Sequence, residues 1–271
     1  MSLNSSNTPV SLQQRYQPPE EPTGPKVPLK KRIAYSIGLP LWVFLGFMLA
    51  QALILASVAG LQALGVSFDS VNSAVFNAVG GAVIYGLAIV LVLGLPFVVK
   101  KRPTTREELG LQRWPSLMDL LWGPLGFIIY LVLTAIVTQI AMMAFTFVDY
   151  AETQETGFSQ IATQPEYILA FISLVVIAPI AEEILFRGYL LGKLRKYAPL
   201  WLSILITSVL FALVHFQWNV AIDVFALSIV LCLLRVWTGS LWPSIILHMT
   251  KNGVAFYFLF VNPSLLSTLG G

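Results

Sequence analysis

The stretch IAPIAEEILFRGYLLGKLRKY, from Ile177 to Tyr197, places two adjacent carboxylates, Glu182 and Glu183, directly after a long apolar run without any charge. The composition indicates an apolar environment for these carboxylates. Of the 271 residues, 57% are hydrophobic and only 11% are charged. A soluble domain cannot hide several separate apolar runs of roughly 20 residues each, the length of a bilayer-crossing helix. The sequence therefore predicts an integral, multi-pass protein of the cell membrane.

Seven apolar runs follow one another, separated by short polar or proline-containing breaks. Within lipid, only helices and closed barrels satisfy the backbone N–H and C=O groups, and the alternating pattern of barrel strands is absent. We therefore predict an all-α, polytopic membrane helix bundle with about seven transmembrane helices, with room for an eighth. The runs lie at about 34–60, 72–99, 117–147, 166–197, 199–217, 219–237 and 241–261.

The charged residues are sorted by loop. Basic residues occupy every second connection and acids the others, so the positive-inside rule predicts a cytoplasmic N-terminus. Because of this sorting, the formal net charge of +3 does not indicate a nucleic-acid partner, and the lipid bilayer is the predicted surrounding. The basic connections contain Lys26, Lys30, Lys31 and Arg32, then Lys100, Lys101, Arg102, Arg106 and Arg113, then Lys193, Arg195 and Lys196, and finally Arg235.

A few ionisable residues are left inside the predicted helices. Each such group is unfavourable there by about 2.5–3.5 kcal/mol even on the lenient insertion scale, so each indicates a function or a partner. Both histidines of the protein are among them. The set comprises Glu182, Glu183, Arg187, His215, Arg235, His248 and Lys251.

Residue spacing predicts that four of these polar groups share one depth. Counted from the turn near Pro199, Glu182 and His215 lie about 14 and 16 residues along antiparallel helices, or ~21 and ~24 Å. On the last helix, His248 and Asn252 are four residues apart and share a face. We expect Glu182, His215, His248 and Asn252 to converge.

The chemistry of this set indicates hydrolysis of an acyl group by water. Glu183 and Arg187 have the spacing of a helical ion pair, which leaves Glu182 as a general base that shares a water with His215. His248 and Asn252 supply donors for a developing oxyanion. Pro179 removes a backbone hydrogen bond and can open the helix to water.

These residues form three ordered motifs. EEILFR (182–187) fits EExxxR, FALVH (211–215) fits FxxxH and HMTKN (248–252) fits HxxxN. The chain resembles the CPBP family of intramembrane endopeptidases, which includes CAAX prenyl protease 2 and bacteriocin-processing enzymes. The resemblance implies that the first glutamate and first histidine activate water, and that the second histidine and the asparagine stabilise the oxyanion. It also implies a membrane-anchored peptide or protein as substrate.

Composition, apolar runs and the extent of the resemblance together divide the chain into four parts. Residues 1–32 are a predicted flexible cytoplasmic tail, 33–162 the N-terminal transmembrane helices, 163–262 the catalytic transmembrane core and 263–271 a short tail. The three motifs lie in the third part, and the earlier helices agree with the family only in being hydrophobic.

The metal requirement stays open at this point. Two histidines and a glutamate could form a zinc site, but the HExxH motif of zinc proteases is absent. We favour a metal-free site without a cofactor, with Zn²⁺ as the alternative. The single cysteine, Cys232, excludes an internal disulfide and a CxxC site.

Two other function classes also fit a polar cluster in a membrane. A proton-coupled transporter could use Glu182 and the histidines as a relay, and a non-catalytic membrane scaffold could retain the same residues. Lys251 is expected to extend toward the interface, and Gly80, Gly81 and Gly86 are expected at close helix contacts.

Overall fold

The structure is a computed structural model that describes residues 27–101, 103–158 and 161–265. These residues form helices and no strand, so the prediction of an all-α membrane bundle is confirmed. The predicted tails fall mainly on residues 1–26 and 266–271, outside the described ranges. The helices are α1 (Leu29–Ala63), α2 (Ser73–Val99), α3 (Arg106–Leu109), α4 (Leu117–Ala144), α5 (Gln164–Leu194), α6 (Leu200–Leu213), α7 (Trp218–Thr238) and α8 (Trp242–Val261).

Six of the described helices are long and apolar enough to cross a membrane, namely α1, α2, α4, α5, α7 and α8. Helix α6 is apolar but has only 14 residues. It is ~21 Å long, shorter than the ~30 Å of a hydrocarbon core. The predicted helix at 199–217 is therefore too long, because the helix ends at Leu213.

Side-chain caps explain where helices α2 and α5 begin. Thr163 and Glu166 form a capping box at the start of α5, and Asn72 caps α2 by accepting from Ala74 N and Val75 N. Asn72 also donates to Glu166 Oε1 at 2.6 Å. These bonds satisfy free N–H groups at both helix starts and fix the two helices side by side.

Helix α5 has an unusual backbone around the acidic pair. The regular segment Ala178–Glu183 lies between two π-helical segments, Ile172–Ile177 and Ile184–Leu190. Pro179 lies in the regular segment and cannot donate a backbone hydrogen bond. Wide turns of this kind are frequent at functional sites.

Small residues allow close helix contacts, but not at the predicted glycines. A Cβ atom at Gly46 would lie 2.5 Å from Val92 Cγ2, and one at Gly123 would lie 2.5 Å from Ile246 Cγ2. Helices α1 and α2 meet at the first position, and α4 and α8 at the second. Gly80, Gly81 and Gly86 have open space around the Cβ position, so the prediction of close packing there is wrong.

One end of the bundle is held together by basic side chains. Lys193 and Lys196 bind Glu108 of α3 at 2.7 and 2.9 Å, and Arg32 Nε donates to the carbonyl oxygen of Tyr197 at 2.9 Å. Three connections that were predicted to lie on one side of the membrane therefore lie at one end of the bundle. Which side that end faces stays a prediction.

Candidate active site

The second glutamate of the acidic pair is fully buried. Glu183 Oε1 accepts a hydrogen bond from Arg187 Nη1 at 2.8 Å, and neither side chain has any exposed surface. The predicted ion pair is therefore present. The same oxygen lies 2.9 Å from His248 Nδ1, and Arg187 also stacks its guanidinium on the Phe211 ring at 4.2 Å. Glu183 thus connects α5 to the histidine of α8.

The first glutamate faces a cavity and keeps 15% of its side-chain surface exposed. Its Oε1 accepts a hydrogen bond from the Tyr85 hydroxyl at 2.5 Å. Its Oε2 lies 3.7 Å from His248 Nε2, too far for a direct hydrogen bond. Glu182 is therefore held through one oxygen, while the other faces the cavity.

His215 lies in the turn after α6, so the prediction that it belongs to the helix is wrong. Its Nδ1 lies 2.7 Å from the carbonyl oxygen of Phe211. A carbonyl can only accept, so Nδ1 carries the proton and Nε2 is the acceptor of the neutral ring. The helix end places this ring over Phe211, with a centroid distance of 5.0 Å.

A cavity of about 190 Å³ brings the four predicted residues together. Its wall includes Glu182, His215, His248 and Asn252, from α5, the turn after α6 and α8. Asn252 Nδ2 donates to the carbonyl oxygen of Leu174 at 2.9 Å, which leaves its second N–H hydrogen free of that bond. Glu182 and His215 share the cavity without a direct hydrogen bond between them. The predicted convergence is present, and the catalytic roles stay predictions.

Residues 164–254 match the family model described as type II CAAX prenyl endopeptidase Rce1-like. The match includes all three motifs, and with them the cavity residues Glu182, His215, His248 and Asn252. The resemblance predicted from these motifs is confirmed.

Relatives of this Rce1-like segment extend the comparison. The membrane-embedded CAAX protease MroQ of Staphylococcus aureus is 25% identical over 203 residues, which are 68% of this chain and 77% of that protein. An uncharacterised 24.3 kDa protein of Escherichia coli is 32% identical over 99 residues, or 35% and 46% of the two chains. The UPF0177 protein YxdF of Lactococcus lactis is 33% identical over 102 residues, or 37% and 55%. The chain thus spans about half the length of the Escherichia coli and Lactococcus lactis proteins. No solved structure matches the chain significantly.

One contact of the cavity lies outside the Rce1-like segment and was missed. Tyr85 belongs to α2, 97 positions from its partner Glu182. A tyrosine within an apolar helix carries no signal of its own. Only the packing of α2 against α5 reveals the contact.

A second missed feature is the environment of Lys251, which lines the cavity. Its Nζ lies 3.2 Å from Asp223 Oδ2, and the expectation that Lys251 extends toward the interface stays a prediction. Asp223 Oδ1 accepts from Tyr130 at 2.6 Å and from Thr134 at 2.8 Å. The lysine charge is therefore compensated within the bundle by α7.

The connection between α4 and α5 forms part of the cavity wall through residues 154–156. It is held by the turn that follows His215. Gln217 Nε2 donates to Thr153 O at 3.0 Å, and Glu155 N donates to Gln217 Oε1 at 3.2 Å. The position of His215 and the position of this connection are thus coupled.

The Rce1-like resemblance raises the question of a metal, and the side chains give a partial answer. In the described part of the chain, no group of three or more His, Cys, Asp or Glu side chains is arranged to hold a metal ion. His248 Nδ1 already faces Glu183, and His215 Nδ1 faces a carbonyl oxygen. These contacts occupy only the Nδ1 atoms, so the metal-free site stays a prediction, and we derive no step through a metal.

Proposed function

We propose that the protein is an intramembrane endopeptidase that hydrolyses a peptide bond of a membrane-associated protein or peptide. The observation that carries the proposal is the single cavity lined by Glu182, His215, His248 and Asn252. A base, a second proton carrier and side-chain donors within one small cavity are what amide hydrolysis requires. The Rce1-like match over the same residues supports this reaction class.

The first step is attack by water. Glu182 takes a proton from a water molecule as the water oxygen adds to the carbonyl carbon of the substrate. His215 orients this water through Nε2, because its Nδ1 is fixed on the Phe211 carbonyl. A base positioned in this way contributes roughly 10²–10⁴ to the rate.

The second step is breakdown of the tetrahedral intermediate. During the attack, the electron pair of the carbonyl has moved onto oxygen. This oxyanion accepts hydrogen bonds from the second N–H of Asn252 and from Nε2–H of His248 in its doubly protonated form, because Nδ1 of this ring donates to Glu183. The electron pair then returns to re-form C=O as the C–N bond breaks, and Glu182 gives the leaving nitrogen the proton that it took from water. The products are one carboxyl and one amine terminus, and water is the only co-reactant consumed.

The buried ion pair supports these steps without touching the substrate. Glu183 is fully buried and holds His248 Nδ1, so it fixes the ring whose Nε2 faces Glu182. Arg187 balances the charge of Glu183 in a medium where an unpaired carboxylate would be strongly unfavourable. We propose a positioning role for both.

A comparison of protein termini in membranes tests the proposal. Cells that express the wild type are compared with cells that express Glu182→Ala, His215→Ala or the control Glu152→Ala, an acid exposed on a loop. We expect a set of new termini that disappears in the first two variants and persists in the control. Undiminished cleavage by Glu182→Ala would refute the proposed base.

The same variants separate the protease from a transporter. A proton-coupled transporter reconstituted in liposomes would move its substrate without producing new peptide termini. A non-catalytic scaffold would keep its phenotype in both Glu182→Ala and His215→Ala. Loss of termini in both variants agrees only with the protease.

A further inference from the structure

Tyr85 makes the shortest polar contact of the cavity. Its hydroxyl donates to Glu182 Oε1 at 2.5 Å, across the interface between α2 and α5. Both residues line the cavity that contains His215 and His248. Helix α2 thus contributes directly to a site whose motifs all lie on later helices.

We propose that Tyr85 is a positioning residue that holds one oxygen of Glu182 so that the other is presented to the water. This inference rests on the proposed function, in which Glu182 is the base. The inference gives Tyr85, which lies outside the Rce1-like segment, a role in that reaction.

The two oxygens of Glu182 have different surroundings, so the hydrogen bond from Tyr85 can determine the orientation of the carboxylate. Oε1 has the tyrosine hydroxyl at 2.5 Å, whereas Oε2 has His248 Nε2 at 3.7 Å. The terminal torsion of a glutamate is broad, so a carboxylate without a fixed partner samples many orientations. A hydrogen bond to a charged acceptor is short and directional, and it selects one of them.

The tyrosine ring is itself supported. It packs against Phe47 of α1 at a centroid distance of 5.9 Å, and Phe47 lines the same cavity. On its other side, Tyr85 borders an apolar groove of about 980 Å³ between α1, α2 and α5. The ring therefore stands between that groove and the cavity, with only its hydroxyl directed at the carboxylate.

A positioning role and a merely structural role predict different kinetics. If the hydroxyl only satisfies a buried polar group, its loss lowers stability and leaves turnover unchanged. If it aims the base, its loss lowers kcat and leaves KM unchanged, because substrate binding does not use it. Misplacement of a catalytic group by about 1 Å lowers rates by up to about 100-fold.

The test is Tyr85→Phe, which removes one oxygen and keeps the ring. The probe is a quenched fluorescent peptide that spans a cleavage site found by the comparison of termini, assayed with purified protein in detergent. We expect kcat to fall about 10- to 100-fold with KM within about twofold. Tyr257→Phe, at a tyrosine outside the cavity wall, is the matched control and should keep the wild-type kcat. A wild-type kcat for Tyr85→Phe would overturn the inference.

Infrared spectroscopy checks the contact without any substrate. The carboxylate band of Glu182 is the band that disappears in Glu182→Gln, and we expect Tyr85→Phe to shift it while Tyr257→Phe does not. An unshifted band would overturn the inference. If Glu182→Gln cleaves normally, the proposed function fails; if it is inactive while Tyr85→Phe turns over normally, only the inference about Tyr85 fails.

A second variant serves if Tyr85→Phe does not accumulate as folded protein. Phe47→Leu keeps the tyrosine hydroxyl but loosens the ring that carries it. We expect a smaller fall in kcat, about two- to fivefold, with KM unchanged. An unchanged kcat in this folded variant would equally overturn the inference.

Discussion

His248 Nδ1 lies 2.9 Å from Glu183 Oε1, and this buried contact joins the second helix of the site to the first. The acceptor is the same oxygen that binds Arg187 at 2.8 Å. The acidic pair is therefore divided by environment. Glu183 is enclosed and holds other side chains in place, while Glu182 faces the cavity.

Replacement of Glu183 by glutamine should destabilise the protein. The change leaves Arg187 buried and uncompensated, which is unfavourable by about 3–5 kcal/mol when one partner of a buried pair is removed. Thermal unfolding in detergent measures the effect, and the exposed Glu152→Gln serves as control. The double variant Glu183→Gln/Arg187→Met should recover most of the lost stability, because it also removes the uncompensated charge, and Arg187 Nε and Nη2 have no hydrogen-bond partner among the described residues to lose. A Glu183→Gln protein as stable as the wild type would contradict the assignment.

Asn252→Ala should lower turnover without weakening substrate binding. Loss of one preorganised oxyanion donor reduces kcat by about 10²–10³-fold, and KM depends on it little. Thr250→Ala is the matched control, because Thr250 lies on the same helix and its hydroxyl bonds only its own helix at Ile246 O. Equal kcat values for the two variants would argue against an oxyanion role for Asn252.

The fold and the depth of the site could be predicted because both depend on simple repeats. Apolar runs mark the helices, and a constant rise per residue places Glu182 and His215 at one level on either side of a turn. The end of α6 could not be predicted, because the apolar pattern continues past Leu213. The positive φ of Phe216 and the bonds of Gln217 to residues 153 and 155 end the helix there.

Contacts between helices that are distant in the chain could not be predicted from the sequence. Tyr85 meets Glu182, and Lys251 meets Asp223, without a spacing that predicts either pair. A lysine at the end of an apolar segment is commonly assigned to the interface because its long side chain can reach water. Here the packing of α7 against α8 also brings Lys251 within 3.2 Å of Asp223, and no sequence spacing predicts that contact.

A chelator should leave activity unchanged under the metal-free proposal. The purified protein is assayed with the quenched peptide before and after treatment with EDTA, and again after addition of zinc. We expect equal kcat values in all three samples, because no described group of side chains forms a metal site. Loss of activity with the chelator and its return with zinc would instead support the zinc alternative.

The stability of the bundle should depend on pH through Glu108. Hydrogen bonds from Lys193 and Lys196 lower the pKa of this carboxyl from 4.5 to about 2. A carboxyl with a lowered pKa stabilises the folded state above the unfolded value of about 4.5, and the contribution disappears as pH falls toward about 2. Glu108→Gln should therefore lower the Tm at pH 7, and its difference from the wild type should shrink below pH 4.5 and approach zero as pH falls to about 2. Glu107→Gln, at the next residue of α3, is the control, and an equal effect of both variants at pH 7 would contradict the assignment.

Reporter fusions test the predicted orientation of the bundle. Lys193, Lys196 and Arg32 lie at one end of the structure, and the positive-inside rule predicts that this end is cytoplasmic. Alkaline phosphatase, which is active only outside the cytoplasm, should be inactive when fused after residue 197 and active when fused after residue 150. Green fluorescent protein should give the opposite pattern at the same positions. The reverse result would place the basic end outside the cytoplasm and would contradict the orientation predicted from the positive-inside rule.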